Sequence, residues 1–543
     1  MSKDLSQVKG FNSLQTFFPA MSKLYQLTPQ QMDKVWLDTK WRITGLDISG
    51  TSGPCTLNLV PNQDEEAAAT SKPAFLKVTH LLDPIRWMKG KYSLPKHNGL
   101  PWMNKTWASA WTKLQDSWNQ AYVETIASYA VGRMRDAGVS PHFNEFYGAF
   151  CARADVYRYN LTEDFGSYRN SRWFWSGRNN NYFKIHVINS ADPSVPVSSE
   201  VFNEFNTEPP PSELYSDSED GDAEDADEEI VITDAGVDTT EVASLHSGGM
   251  SELSFTKESE EESEIDDIEG KTKVYAELAD FPVMLIAVEK NSGTMDALFD
   301  NFEEVGATSG TPEWELRWSA WIFQVVAAMS VAQTFIGLTH NDLHTNNIVW
   351  SPTTDEFLYY TLNSGAVFKV PTFGKLFRII DFGRAIFTIN GAQFISDDFR
   401  EKNDADGQYS FKPLHPRPKN EVAPNPSFDL ARLAVSLFEA LFPDKPEDKE
   451  GGVILSSEED LVMKETVSPL CNCIWSWMLD DDGRNILIES NGEERFPGFD
   501  LYIHIAANVH GAVPSKQFTH PAFDRFQVNP SEVGNVNKWK LYC

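Results

Sequence analysis

The sequence predicts an α+β protein of two lobes, a β-rich lobe followed by a helical one. Three observations carry that expectation. Short β-like runs fill the chain from Trp41 to about residue 203, helical patterning takes over after Gly293, and an acidic stretch at 204–270 interrupts the β-rich half before its last strand. A chain of 543 residues is long enough to bury at least one large core, and two lobes are a natural division of it.

Residues 1–40 read as a polar, helical N-terminal extension, because "LTPQQMDKVW" offers Thr28 as a cap and Pro29 for the first turn. The small lobe, 41–203, opens with the β-like pieces "WRITGLDI", "PCTLNLVP" and "AFLKVTH". Between the first two lies "SGTSG", Ser49 to Gly53. Trp107, Trp111, Leu114, Trp118, Tyr122, Ile126 and Tyr129 then recur at steps of three and four, which predicts a helix with a core-facing stripe. "HFNEFYGAFCAR" reads as a strand or hairpin. Residues 204–270 carry charge blocks without apolar period and are expected to be disordered. Residues 271–290 are the last small-lobe strand and hinge, and "FPVMLIAVEKNSG" carries that strand on into a turn ending at Gly293.

The large lobe, 291–543, begins with a long helix. Ser319 to Thr339 holds no charged residue, and Trp318, Ile322, Val325, Met329, Ala332 and Ile336 keep helical spacing. Thr311 can cap its start, Pro312 suits the first turn and Gly337 suits the stop. Gln324 and Gln333 interrupt the run, so a buried helix is preferred to a membrane span. The strand-like pieces "NIVW", "FLYYTL" to "AVFKV" and "LFRIID" follow, then a helix at Phe428 to Phe442.

Charge and cysteine content bound the function. The net charge is −33, but residues 200–269 hold 25 Asp and Glu against one Lys, leaving about −9 for the remainder. No basic face for nucleic acid is expected. The acidic segment reads first as a solvated linker and secondarily as a partner-docking segment, with Ser216 and Ser259 each preceding acids. Five cysteines, an odd and small number, suit a reducing compartment, and Cys471-x-Cys473 reads as ordinary thiols. The N-terminus lacks the apolar core of a signal peptide. A cytoplasmic protein without membrane contact is expected.

The chemistry concentrates in "LTHNDLHTNNIVW", Leu338 to Trp350, and "FRIIDFGRAIF" after it. Taken singly, Asp342, Asn347 and Asp381 are ordinary loop or capping residues. In this order, with Asp381-Phe382-Gly383 ending a strand downstream of His340-x-Asp342-x-x-x-x-Asn347, they resemble the catalytic core of the protein kinases. The resemblance implies a bilobal kinase-like fold with ATP in the cleft. Phosphoryl transfer asks for a divalent metal against the phosphates and an acceptor hydroxyl held in line. Asn347 and Asp381 would hold Mg²⁺, which prefers oxygen ligands, and Asp342 would orient the hydroxyl and accept its proton.

The same resemblance assigns further residues. "AFLK" makes Lys77 the ligand of the α- and β-phosphates, with Glu124 in "AYVETIASYA" as its ion-pair partner and Asp116 as competitor. Gly50 and Gly53 would let backbone amides approach the nucleotide. Glu289 to Asn291 would form the adenine hinge, with Val288 above the ring. Asp429 in "NPSFDLARLAVSLFEAL" would brace the catalytic loop. With "ERFPGFDLYIHI", the set is most similar to the serine/threonine protein kinase-like proteins of large nucleocytoplasmic DNA viruses, which implies a protein of host cytoplasm or virion.

Four departures stand out. Asn341 replaces the usual Arg, His344 replaces the Lys of serine/threonine kinases, Asn347 and Asp381 lie 34 residues apart, and no A-P-E triplet follows. His344 also suits kinases of small molecules such as aminoglycosides or choline, which is one alternative. A catalytically weak scaffold, suggested by the sparse glycine loop, is the other. The expected activity is phosphorylation of Ser/Thr on protein substrates.

Overall fold

The structure, a computed structural model, describes residues 8–28, 31, 35–48, 52–62, 64, 67–92, 108–190, 192, 194–210, 214, 272–401, 403–409, 422–458, 461–489 and 491–543. The chain is mixed α+β. Its main sheet has seven antiparallel strands: β1 (Phe11–Gln15), β2 (Trp41–Ile48), β3 (Gly53–Pro61), β4 (Thr70–His80), β5 (Phe146–Asn160), β6 (Lys184–Asn189) and β7 (Thr272–Glu289). They are ordered β1-β5-β7-β4-β3-β2, with β6 also pairing β7. β7 lies between β4 and β5, and every residue from Phe281 to Ala287 is buried. That is why "FPVMLIA" is a continuous apolar run rather than an alternating one.

The four helices that shape the site are α1 (Gln120–Asp136), α2 (Pro312–Ile336), α3 (Phe428–Leu441) and α4 (Asp500–Asn508). α1 packs on β5 and β7. Gly132 permits the approach, since a Cβ there would meet the Phe146 Cβ at 2.8 Å. α2 is capped as its sequence indicates: the Thr311 hydroxyl accepts the Trp314 N–H at 3.3 Å, and Gly337 closes the helix at φ +59°. Gln324, the polar residue inside its apolar run, is spent on backbone. It donates to Lys375 O at 3.1 Å and accepts from Phe377 N at 3.0 Å. By length and composition α2 is the single helix among the described residues able to cross a membrane, yet 78% of its most apolar window is buried within the protein.

After α2 come β9 (Ile348–Pro352), β10 (Phe357–Thr361), β11 (Val367–Pro371) and β12 (Lys375–Ile379). The β10–β11 hairpin fills the long step between Asn347 and Asp381. β12 pairs β9, and β9 pairs the short strand β8 (Gly293–Thr294) that follows β7. His142 ties β12 to the main-sheet half. Its ring bonds Phe377 O at 2.9 Å and the Tyr360 hydroxyl at 2.8 Å, and its carbonyl accepts from Ile379 N at 3.3 Å. One apolar cluster runs through both halves of the molecule.

Three expectations need correction. The first 40 residues are not a purely helical extension: Phe11–Gln15 is an edge strand on β5, followed by a helix at Ala20–Tyr25. Most of the helix expected from Thr28 lies outside the described residues. The tryptophan-striped helix is two helices, Ala108–Gln115 and α1, broken where Asp116 accepts the Trp118 N–H and Asn119 accepts the Ala121 N–H. Side chains that bond nearby backbone compete with helix continuation, and apolar periodicity does not register this. Finally, a helix at Ser199–Phe205 crosses the expected boundary at 204 and buries Phe205. Residues 211–213 and 215–271, including Ser216, Ser259 and the acid blocks, lie outside the described residues.

Candidate functional site

Lys77 sits on β4 opposite Ile286 of β7. Glu124 lies in the second turn of α1, where Asn119 sets the helix start. The Lys77 ammonium bridges two carboxylates, Glu124 Oε1 at 2.5 Å and Asp381 Oδ1 at 2.8 Å. One cation thus serves two anions, and the anions differ in setting. Glu124 is 3% exposed, whereas the Asp381 side chain is 44% exposed. Burial pushes the Glu124 carboxyl up to about 7 despite the pull of Lys77. Burial also works against charge on Asp381, but Lys77 outweighs it and brings that carboxyl down to about 2. For Lys77, burial opposes the ammonium, and Asp381 with Glu124 hold it above the usual lysine range. The competitor Asp116 is engaged elsewhere, with Arg400.

The trio borders a cavity of about 520 Å³. Phe75, Val78, Val131, Ile286, Val288 and Val349 make much of its wall, with Ser52 and the Glu289–Thr294 edge. A largely apolar cleft bordered by fixed charges suits a flat apolar group joined to an anionic one. Gly53 starts β3 at φ +134°, a backbone that side-chain-bearing residues rarely adopt, and the Ser52 hydroxyl donates to Leu76 O at 3.1 Å. Gly50 lies outside the described residues. Glu289 and Asn291 line the cavity, but their side chains brace the protein rather than reaching for a ligand. Glu289 pairs with Arg135 and with Arg378, the latter at 3.3 Å. Asn291 bonds Asn144, Ser351 and Arg378 at 3.1 Å each.

The His340–Asn347 segment lies at the C-terminal end of α2. Asp429, fully buried in the first turn of α3, accepts the backbone N–H groups of His340 and Asn341, both at 2.9 Å. Asn341 is held at φ +64° and Asp381 at φ +66°, left-handed conformations that Asn and Asp tolerate best among residues with side chains. His340 Nε2 meets Ile380 O at 2.8 Å, and Ile380 N donates to Asn347 O at 3.0 Å. Two short bonds therefore lock this loop to the residue preceding Asp381. Asn347 directs its amide NH₂ to Asp342 O at 2.9 Å and His344 Nε2 at 3.1 Å, which leaves its side-chain oxygen available. Asp342 and Asn347 stand outside the cavity wall, on the loop beside it.

Several groups around Asp342 fall within or near the motifs already quoted, but nothing local in the sequence assigns them a role there. Tyr502 on α4 donates to Asp342 Oδ1 at 3.0 Å, and Arg384 Nη1 lies 3.8 Å from the same oxygen. Arg432 on α3 donates from Nε to the Tyr502 hydroxyl at 3.0 Å. Asn341 receives bonds from Tyr409 and Gln408 and donates to Arg384 O at 3.0 Å. Asp397, on the same downstream segment, accepts the first N–H of α1, Gln120 N, at 2.8 Å and pairs with Lys113. Asp398 accepts from the Gln120 amide at 2.7 Å. The Asp342 surroundings are thus fixed from α3, α4 and the 384–409 segment together.

Two ionised or neutral oxygen donors, Asp381 and Asn347, fit a hard divalent cation such as Mg²⁺ in donor type. The arrangement as a whole can hold an anion at Lys77 and a cation at Asp381, beside a carboxylate with one oxygen fixed by Tyr502. No protein-family model and no curated protein matches the chain.

Proposed function

We propose that the protein is an ATP-dependent phosphotransferase with a bilobal protein-kinase-like fold, acting on Ser/Thr hydroxyls of protein substrates. The observation that carries this reading is the Lys77 bridge, 2.5 Å to Glu124 and 2.8 Å to Asp381, at the charged end of the 520 Å³ cavity. The adenine enters the apolar slot, with Val288 on its face and the backbone of Glu289 to Asn291 along its edge. Lys77 takes the α- and β-phosphates, and Glu124 keeps its ammonium in place. Asp381 and Asn347 are the residues that would hold Mg²⁺, which when bound neutralises phosphate charge.

Asp342 then does the remaining chemistry. It orients the acceptor hydroxyl and accepts its proton while the hydroxyl oxygen bonds to the γ-phosphorus. The bond from that phosphorus to the bridging oxygen breaks, and its electron pair leaves with ADP. Asp429 supports this work from beneath the loop. His344, bonded to Asn347, acts as a prop for the cation ligand rather than as an acceptor-binding group.

The test is transfer of γ-labelled phosphate with the full chain and Mg²⁺, offering dephosphorylated casein and histone beside an aminoglycoside and choline. Acid-stable label on Ser and Thr of the proteins is expected, with a Tm rise on adding Mg-ATP. Label confined to a small molecule would move the assignment to the small-molecule kinases. No label on any acceptor and no Tm response would overturn it in favour of a scaffold.

A further inference from the structure

The Asp342 carboxylate is gripped on one side by a residue from far along the chain. Tyr502, 160 residues away, is 9% exposed and stacks on Phe499 at 5.2 Å between ring centroids. Its hydroxyl has one hydrogen, and two bonds fix where that hydrogen points. Arg432 Nε–H, on a residue 2% exposed, donates to the hydroxyl oxygen at 3.0 Å. The hydroxyl must therefore turn its own hydrogen to Asp342 Oδ1, also at 3.0 Å. The Arg432 guanidinium lies over the Tyr502 ring, 5.2 Å from its centroid, so the pair is held by two contacts. A donor polarised by a cation behind it binds a carboxylate more firmly than a free hydroxyl does.

We infer that Tyr502, oriented by Arg432, is the positioning residue for Asp342. It fixes Oδ1, and so the rotation of the carboxylate, leaving Oδ2 toward the acceptor hydroxyl. Arg384, 3.8 Å from Oδ1, stands on the same side and reinforces the choice of oxygen. The Tyr502 ring stacks on Phe499 with or without the hydroxyl, and the double variant with Asp342→Ala separates the hydroxyl's bond to Asp342 from its bond to Arg432. This inference rests on the phosphotransferase reading given above and adds to it a residue that acts through Asp342 without touching substrate.

The experiment compares wild type, Tyr502→Phe, Arg432→Met, Asp342→Ala and the Tyr502→Phe/Asp342→Ala double variant, all as full chains with Mg-ATP and dephosphorylated casein. Tyr502→Phe keeps the stacked ring but leaves the buried Arg432 Nε–H without its acceptor, so Tm should fall by a few degrees while the KM for ATP stays at its wild-type value. Its kcat should fall about tenfold to a hundredfold, the usual worth of a hydrogen bond to a charged group. Arg432→Met, which leaves the tyrosine in place but frees its hydroxyl, should lower kcat in the same direction by less. In the Asp342→Ala background the Tyr502→Phe loss should shrink below about twofold, because there is no carboxylate left to position. A purely structural tyrosine would give equal losses in both backgrounds, and that result overturns the inference. Wild-type kcat in Tyr502→Phe, alongside an inactive Asp342→Ala, overturns it while leaving the phosphotransferase reading intact. Absence of transfer by the wild type overturns both.

Discussion

Asp429→Ala should loosen the His340–Asn347 loop without dismantling α3. The carboxylate is fully buried and makes two bonds, to His340 N and Asn341 N, each 2.9 Å. Hydrogen bonds to a charged group contribute about 1.5–3 kcal/mol each, so the pair contributes roughly 3–6 kcal/mol before costs. Burial pushes the Asp429 carboxyl up to about 6 from 3.8, with the His340 ring and the two amides pulling the other way. At about 1.4 kcal/mol per pH unit that shift offsets roughly 3 kcal/mol. A net loss of up to about 3 kcal/mol remains, at most a sizeable part of a typical fold stability of about 5–15 kcal/mol and short of unfolding. The assay is hydrogen exchange by mass spectrometry over Leu338 to Leu343, with urea denaturation alongside. Protection at His340 and Asn341 should fall by about ten- to a hundredfold, and phosphate transfer should fall with it, because misplacement by about 1 Å can cost about a hundredfold. Unchanged protection at those two amides, with stability equal to wild type, would refute the idea that Asp429 holds the loop.

Two further predictions follow from neighbouring groups. His142 is 1% exposed, and burial lowers its pKa to about 4 from 6.5, although the bond to Phe377 O favours a proton. Between those values the unfolded chain binds the proton that the folded one refuses, so stability falls as pH drops from about 6.5 to 4, by about 3 kcal/mol from this residue. His142→Gln should lack that slope, and its stability curve should converge on the wild type's as pH falls; parallel curves would contradict the assignment. The second concerns activation. In many kinases an Arg beside the catalytic Asp pairs with a phosphate on the downstream segment, but here Asn341 bonds Tyr409, Gln408 and Arg384 O, and Asp397 already occupies the start of α1. Protein made in bacteria and stripped by phosphatase should transfer phosphate as fast as untreated protein; a large loss restored by one phosphosite between Arg384 and Pro426 would be decisive against this.

Local chemistry made much of this legible in advance. Thr311, Pro312 and Gly337 delimit α2 because caps act through bonds within a few residues, and "FPVMLIA" marks a strand buried on both faces. Asp429 falls in the first turn of its helix, where a carboxylate can reach a loop. What escaped notice was set by distant partners. β1 is a strand because β5 offers an edge, not because "FNSLQ" alternates. The break at Asp116–Asn119 depends on two side chains bonding backbone within a run whose tryptophans keep helical spacing. Tyr502 lies in "ERFPGFDLYIHI", a stretch that assigned it no role, and its bond to Asp342 exists only once α4 has packed against α3. The side-chain partners of Glu289 and Asn291, Arg135 on α1 and Arg378 on β12, are set by distant elements in the same way.

The central claim is that Lys77, Glu124 and Asp381 form a Mg-nucleotide site served by Asp342 as base. Single-turnover transfer from γ-labelled ATP, measured with nucleotide affinity in wild type and Asp342→Ala, tests it most directly. The account predicts equal Mg-ATP affinity in the two proteins and a transfer rate lower by about 10²–10⁴-fold in the variant, the usual worth of a positioned base. Equal transfer rates would contradict it.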